Sequence, residues 1–334
     1  MRTLTRLTAF LLTVLLGLIG PASVMAADPI ILRVAHVFKT DFSAHLGAAK
    51  FADLVAKKSN SSIIVKIYPN QQLGNERECL EGAKFGTHDI ALTGAAGWAI
   101  INPKLGTFEL PFLYRDMAHQ KKVFSSSGMK GTVDGLYSDV GLRFLTYFGY
   151  GIRSTLTKSK PVRQLEDFKK LRIRVPEVPI FVKTFQALGA NPTPVNYGET
   201  YTALQTDLVE GVEGSPESMV SMKFTELCKY YTLTAHQSPP ILMAINKRTF
   251  EKKLTPAQQE IVMEAAVEAG NWEFDIVDNA NIKALETMKG LGIEIIKISA
   301  SESKRIEQET QVVYDDLGKK YGGNDLIAKI KAIQ

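Results

Sequence analysis

Hydrophobic and polar positions near the start of the chain follow strand and helix periods in turn. Apolar runs indicate strands over residues 30–35, 62–68 and 89–93, and apolar positions at helical spacing indicate helices over 43–58 and 75–84. Strands separated by helices are typical of β-α-β units. The pattern therefore predicts a parallel sheet with right-handed crossovers.

The middle of the chain continues the alternation of strands and helices after a change of pattern near Gly149. The predicted segments are strands 142–148, 152–156 and 171–175, a helix over 180–188 that ends at Gly189, and a helix over 201–208. Two successive α/β patterns suggest two lobes around a crevice, and open α/β sheets bind their ligands at strand ends in such crevices.

A long helical pattern covers residues 257–289, directly after Thr255 and Pro256. Threonine is a favoured N-cap and proline is favoured at the first helical position. The pattern exceeds the usual 8–20 residues of a globular helix, so this helix is long enough to span both lobes. The tail, residues 301–321, predicts one more amphipathic helix.

One predicted strand carries arginine on a face where a buried strand would be apolar. Leu171, Ile173 and Val175 share one face, and Arg172 and Arg174 share the other. A guanidinium near a strand end offers a planar fork of donors that matches a carboxylate. The pattern alone equally fits a solvated edge strand or an interdomain salt bridge.

The N-terminus has the order of a secretory signal. Arg2 and Arg6 precede an apolar run over residues 7–19, and small residues follow up to Ala26. We expect a signal peptide over residues 1–26 and a soluble periplasmic protein. A lipid anchor is not expected, because the cleavage site has no cysteine. No later segment approaches the roughly 18 apolar residues of a membrane span.

Composition narrows the functional classes. The 334 residues are 45% hydrophobic and 22% charged, as in ordinary globular proteins. The formal charge is +5, and it decreases by two units when Arg2 and Arg6 are removed with the signal peptide. The remaining basic residues are dispersed along the chain, so nucleic acid is not an expected partner. Cys79 and Cys228 are the only cysteines, and the sequence leaves open whether they pair.

The sequence lacks the common motifs of catalysis and metal binding. It contains no HExxH, GxSxG, P-loop, GxGxxG or CxxC motif, and its five histidines are scattered. We therefore expect no cofactor and no metal. An enzyme is disfavoured but stays an alternative.

Several ordered motifs resemble a known family. They are residues 68–77 (YPNQQLGNER), 189–194 (GANPTP) and 199–206 (ETYTALQT), with further matching pieces at 110–113, 151–153, 174–176 and 229–236. The chain resembles the extracytoplasmic solute-binding subunit of tripartite ATP-independent periplasmic (TRAP) transporters, of the dicarboxylate-binding DctP type. The resemblance covers nearly the whole mature chain.

The resemblance implies an α/β, two-lobed periplasmic-binding-protein fold, type II-like, with a long helix spanning both lobes. Lobe I would comprise residues 27–150 and 239–280, and lobe II residues 151–238 and 281–334. The lobes would close on the ligand and present the closed form to the small and large membrane subunits of a TRAP permease. A monomer is expected.

The resemblance also implies the ligand-binding residues. Arg174 would bind the ligand carboxylate, and Arg153 would be an assisting arginine unless it forms a salt bridge within its own lobe. Tyr197 would place its ring against the ligand unless it is ordinary core. Glu76 would be a polar contact from the opposite lobe, although acidic residues also favour the first turn of a helix.

Four further residues are candidates for ligand contact. His36 ends the first strand and Trp98 follows a small-residue loop, and both either line the first lobe's wall or pack in its core. Gly214 stands where the family commonly has an asparagine that reaches the ligand, and Glu213 precedes it. Loss of that asparagine predicts extra space and a bulkier or less polar carboxylate.

Together these features predict a periplasmic receptor that binds a small organic acid without chemistry. A periplasmic ligand sensor of a signalling receptor and an enzyme acting on an organic acid are the alternatives.

Overall fold

The computed structural model describes residues 28–320 and 323–334, with no side chains described for 318–320. The expected signal peptide, residues 1–26, lies outside the described residues. The strands are β1 Ile30–His36, β2 Ile63–Tyr68, β3 Ile90–Gly94, β4 Leu142–Gly149, β5 Arg153–Thr157, β6 Arg172–Val175, β7 Asn191–Pro194, β8 Gly211–Gly214, β9 Tyr230–Gln237, β10 Pro240–Asn246 and β11 Glu294–Lys297.

Helices cover both sheets that these strands form. The α-helices are α1 Ser43–Lys58, α2 Glu76–Phe85, α3 Ala95–Trp98, α4 Met117–Ser125, α5 Ser127–Ser138, α6 Pro179–Ala187, α7 Thr200–Gln205, α8 Pro216–Ser221, α9 Lys247–Lys253, α10 Pro256–Gly290, α11 Ala300–Glu309, α12 Gln311–Lys320 and α13 Asn324–Ala332. Short 3₁₀ helices are Pro103–Glu109, Leu165–Phe168, Tyr197–Glu199 and Phe224–Glu226.

The first sheet has the strand order β2-β1-β3-β10-β4. Strands β1, β2 and β3 run parallel, as the β-α-β pattern predicted. Strand β10 is inserted antiparallel between β3 and β4. It is buried along its whole length, so its apolar run shows no strand alternation.

The second sheet has the order β11-β9-β5-β8-β6-β7. Strand β6 pairs in parallel with β7 and β8, whereas β5 pairs antiparallel with β8 and β9. The helix before β7 ends as predicted, with Gly189 in the left-handed region at φ +80°. This sheet places Arg174 beside β8, in the interior of the second half of the molecule.

The chain crosses between the sheets at two short connections and along one helix. It passes from β4 to β5 through Gly151, at φ +89°, and returns from β9 to β10 through Ser238 and Pro239. Helix α10 has 35 residues and a length of about 52 Å. Its N-terminus has the predicted cap, since Thr255 Oγ1 accepts from Gln258 N at 3.3 Å.

Small side chains let α10 pack closely on α1 and the first sheet. Ala265, Ala266 and Ala269 of α10 are fully buried, and a Cβ added at Gly47 of α1 would lie 3.0 Å from Glu273 Cβ. Toward its other end α10 buries Met288 in the core of the second sheet. The long helix thus contributes to the cores of both halves, as the sequence predicted.

The tail differs from its prediction. Helices α11 and α12 replace the single helix expected over 301–321, with a break at Thr310. The last helix, α13, contacts the first half of the chain, because His119 Nε2 hydrogen-bonds Ile330 O at 3.2 Å and Arg115 Nη2 donates to Ile333 O at 3.0 Å. Residues 323–334, assigned to lobe II, therefore also pack on lobe I, and the division into lobes stays a prediction.

Candidate ligand-binding site

A cavity with an empty volume of about 570 Å³ lies where strands of the two sheets begin and end. This volume includes space that is open to solvent. Both halves of the molecule contribute to its wall, which is formed by Val37, Phe38, Glu76, Gly94, Ala96, Glu109, Tyr150, Arg153, Arg174, Pro176, Val178, Phe181, Tyr197, Pro239, Pro240 and Ile241. The cavity is thus mostly apolar with a few ionisable groups.

Arg174 is held in the wall by a backbone carbonyl. Its Nε and Nη2 donate to Val195 O at 2.9 and 2.7 Å, and its guanidinium lies 5.9 Å from the ring centre of Tyr197. Among the described residues Nη1 has no hydrogen-bond partner. The contacts therefore fix the guanidinium from its Nε side and leave the Nη1–Nη2 edge available to a ligand.

Arg174 is a buried cation without its own counter-ion. Only 3% of the residue is exposed, and among the described side chains no carboxylate forms an ion pair with it. Burial lowers the pKa of Arg174, and the negative charge of Glu213 offsets only part of this effect. An unpaired buried charge is costly, so this site favours an anionic ligand.

Arg172, the other arginine of the strand, lies in a different environment. It is exposed, its Nε lies 3.3 Å from Glu210 Oε2, and its Nη1 donates to Asp207 O at 2.9 Å. It shares a face of β6 with Arg174 but lies at the start of the strand, and it is not part of the cavity wall. Arg172 is thus the solvated arginine, and Arg174 is the one that faces the crevice.

Arg153 forms the salt bridge that the sequence left as its alternative. Its Nε donates to Glu213 Oε2 at 2.6 Å and its Nη2 pairs with Glu213 Oε1. The guanidinium lies 4.8 Å from the ring centres of both Tyr150 and Phe181. Burial lowers the pKa of Arg153, but Glu213, Tyr150 and Glu109 together raise the pKa overall.

Glu213 does not line the cavity, contrary to its selection as a ligand contact. Its carboxylate is fully buried between Arg153 and His236, whose Nε2 lies 3.3 Å from Glu213 Oε2. Burial raises the pKa of Glu213, yet the charge of Arg153 and the hydrogen bond with His236 lower it overall to about 2. A carboxylate fully engaged by two partners positions Arg153 and has no free edge for a ligand.

Gly214 also lies outside the cavity wall, and the extra space expected there is absent. A Cβ at this position would overlap the methyl group of Met219 and lie 3.2 Å from Tyr150 Oη. Its carbonyl accepts from Tyr231 Oη at 2.9 Å. Neighbouring side chains thus occupy the space beside Gly214, and its replacement of asparagine does not enlarge the site.

Two other predicted residues belong to the wall. Tyr197 is partly buried, and its hydroxyl lies 2.9 Å from Ser218 Oγ. Glu76 begins helix α2, where Asn75 forms a capping box with Glu78. Burial raises the pKa of Glu76, and the charge of Arg174 offsets only part of the rise. The structure therefore brings Glu76, Arg153, Arg174 and Tyr197 together around one cavity.

His36 and Trp98 are packing residues rather than parts of the cavity wall. His36 is fully buried, with its Nε2 3.1 Å from His45 Nδ1 and its Nδ1 accepting from Phe38 N at 3.2 Å. The Trp98 indole donates to Leu242 O at 3.1 Å and packs edge-on against Tyr137. The polar atoms of both rings form hydrogen bonds within the first half of the molecule. His36 and Trp98 are therefore not ligand-contact residues of this cavity, and the alternative of core packing applies to both.

Sequence reasoning missed Glu109. Its Oε1 accepts from Ala96 N at 2.8 Å, whereas its buried Oε2 has no partner among the described residues. Burial raises the pKa of Glu109 to about 8, against the opposing charge of Arg153. The sequence feature that could have indicated this residue is its position inside the apolar run 108–113, where a charged residue is unexpected.

Three further features concern the membrane, metal ions and the cysteines. Within residues 28–320 and 323–334, no helix is long and apolar enough to cross a membrane. The same ranges contain no group of three or more His, Cys, Asp and Glu residues arranged to hold a metal ion. Cys79 and Cys228 are both buried and free.

Comparisons with known proteins agree with this geometry. Residues 34–320 match the family model of bacterial extracellular solute-binding proteins, family 7 (DctP). The 2,3-diketo-L-gulonate-binding periplasmic protein YiaO of Escherichia coli is 32% identical over 268 residues, which are 79% of this chain and 80% of that protein.

Solved structures show the same fold. A TRAP periplasmic solute-binding protein of Xanthobacter autotrophicus with bound β-D-galacturonate has 30% identity and a TM-score of 0.86, covering 91% of this chain and all of that one. A TRAP protein of Pseudomonas putida with bound D-glucuronate has 29% identity and a TM-score of 0.85, covering 91% and 98%.

These relatives are solute-binding receptors of transporters rather than enzymes, and their two-lobed fold is the one that the sequence predicted. The chain therefore belongs to the family 7 (DctP) extracellular solute-binding proteins, the solute-binding subunits of TRAP transporters.

Proposed function

We propose that this protein is the periplasmic receptor of a TRAP transporter for a sugar acid, that Arg174 binds the ligand carboxylate, and that the receptor delivers the acid to the membrane subunits. The observation that carries the proposal is the buried Arg174, which lines the cavity and whose Nη1 has no hydrogen-bond partner among the described residues. A carboxylate at the Nη1–Nη2 edge would supply the missing counter-ion with paired hydrogen bonds.

The choice of a sugar acid rests on the relatives. The solved structures described above hold hexuronates, and YiaO binds a keto sugar acid. The cavity wall has polar and apolar parts that suit such a ligand. Its hydroxyl groups can hydrogen-bond the carboxyl groups of Glu76 and Glu109, and its sugar ring can pack on Phe38 and Tyr197.

Replacing each arginine of strand β6 tests the carboxylate assignment. Arg174→Ala removes the counter-ion of the bound acid and leaves a buried carboxylate unpaired, at a cost of about 3–5 kcal/mol. The affinity for D-galacturonate and D-glucuronate, measured by isothermal titration calorimetry, should fall at least about 100-fold.

Arg172→Ala is the matched control, because Arg172 lies two residues away in the same strand but is exposed. It should bind both acids like the wild type. Wild-type affinity in the Arg174→Ala protein, with the same melting temperature as the control, would refute the assignment. Recovery of unchanged acid after incubation would count against the alternative of an enzyme.

A further inference from the structure

We propose that Glu109 is a specificity-determining residue that hydrogen-bonds a hydroxyl group of the bound acid, so that the cavity selects hydroxylated acids over acids without hydroxyl groups. This inference rests on the proposed function, because it assumes that the ligand carboxylate occupies Arg174. It names a protein residue that contacts the part of the ligand away from the carboxylate.

The position of Glu109 is fixed, and one of its oxygens is left free. The residue ends a 3₁₀ helix, its backbone carbonyl accepts from Gln237 Nε2 at 2.5 Å, and its Oε1 accepts from Ala96 N at 2.8 Å. Only 2% of the residue is exposed, and among the described residues Oε2 has no hydrogen-bond partner. A buried polar atom in a cavity wall normally has a partner, and here the ligand can provide it.

Glu76 and Glu109 form one acidic wall. The Cβ position of Gly94 would lie 3.4 Å from Glu109 Oε1 and 4.0 Å from Glu76 Oε1. Glycine at this place lets the two carboxyl groups approach each other without a side chain between them. The acidic wall comes from the first half of the molecule, whereas Arg174 belongs to the second sheet.

This arrangement favours ligands with hydroxyl groups. A second ligand carboxylate beside Glu76 and Glu109 would meet like charges whenever these residues are ionised. A hydroxyl group can donate to a carboxylate oxygen or accept from a protonated one, so it fits Glu109 in either state. The acidic wall therefore favours hydroxylated acids over acids without hydroxyl groups.

A pair of ligands separates this role from the carboxylate contact. D-galacturonate has a pyranose ring, one carboxylate and hydroxyl groups, whereas tetrahydropyran-2-carboxylate has the ring and the carboxylate without hydroxyls. The wild type should bind D-galacturonate at least about tenfold more tightly than tetrahydropyran-2-carboxylate or succinate, since several hydrogen bonds to hydroxyls are lost.

Two substitutions then place the effect on Glu109. Glu109→Met keeps the length of the side chain without hydrogen-bonding groups, and should lose at least about fivefold in affinity for D-galacturonate but none for tetrahydropyran-2-carboxylate. Glu109→Gln keeps an acceptor for Ala96 N and a donor for the ligand, and should bind D-galacturonate within about threefold of the wild type. Glu260→Met, at an exposed position of α10, is the control.

The outcomes are distinguishable. Equal losses for both ring ligands in Glu109→Met, or wild-type binding of D-galacturonate by that variant, would overturn the role of Glu109. Equal affinity of the wild type for the two ring ligands would overturn it even if Glu109→Met does not fold. Failure of the wild type to bind any of the acids would instead overturn the proposed function, and this inference with it.

Discussion

At the scale of single residues, the two arginines of the cavity differ in how their charge is balanced. Arg153 is paired with Glu213, which also contacts His236. Arg174 is held by a carbonyl and has no ion-pair partner among the described side chains. This difference supports the proposal that Arg174 binds the anion, with Arg153 as a neighbouring charge that is already paired.

The sequence predicted part of this arrangement. The apolar strand around Arg174 indicated a guanidinium near a cleft, because a polar face at strand period is visible in a single segment. The partner of Arg153 was not visible, since Glu213 is 60 residues away and reaches it only through the pairing of β5 with β8. Glu109 was missed because no element had been predicted around it.

Glu109 should also make stability depend on pH. Its folded pKa of about 8 exceeds its ordinary value of 4.5, because burial outweighs the opposing effects. The groups that face it are Arg153, Glu76, Glu213 and the Ala96 N–H. The folded protein then keeps a proton that the unfolded chain releases, so stability from this group is present below about pH 4.5 and is lost as the pH rises to about 8.

Glu109→Gln removes this proton linkage because the amide does not ionise. Calorimetry of the variant and the ligand-free wild type measures the difference between their melting temperatures. This difference, variant minus wild type, should be larger at pH 8 than at pH 5 by about 2 °C or more. Glu260→Gln should show a constant difference. A difference for Glu109→Gln that is constant or decreases with pH would show that Glu109 is ionised in the folded protein at pH 5.

At the scale of elements, the sequence predicted segments with clear periodicity and missed segments without it. The first three strands, α1 and the capped α10 were predicted because each has a strong pattern or end signal. Strand β10 was missed because it is buried along its whole length and shows no alternation of apolar and polar residues. Strand β8 was missed because it has four residues, two of them glycine.

Helix α10 owes its position to close packing at Gly270. A Cβ at this residue would overlap Thr146 Oγ1 and lie 2.9 Å from Tyr147 O of strand β4, whereas a Cβ at Gly290 would meet nothing within 4 Å. Gly270→Ala should therefore lower the free energy of unfolding by about 1–3 kcal/mol through overpacking.

Gly290→Ala is the matched control in the same helix. It should leave stability unchanged or raise it by up to about 1 kcal/mol, because alanine has the higher helix propensity. Urea denaturation of both variants measures the difference. Equal effects of the two substitutions would contradict the close contact of α10 with β4.

At the scale of the whole molecule, the cavity depends on how the two sheets are brought together. Short crossing segments and α10 connect them, and Glu217 of α8 joins the first half directly by accepting from Ser43 N at 2.6 Å and Ser43 Oγ at 2.8 Å. The two successive α/β patterns suggested two lobes, and the resemblance implied the same architecture. The contact of α13 with the first half was not predicted, since it depends on tertiary packing.

The central claim is that a sugar acid binds between the two halves with its carboxylate on Arg174. A crystal structure of the protein with D-galacturonate tests it most directly. The account predicts that both carboxylate oxygens lie about 2.7–2.9 Å from Nη1 and Nη2 of Arg174, with a ligand hydroxyl near Glu109. A carboxylate bound elsewhere in the cavity, with Arg174 still bonded only to Val195 O, would contradict it.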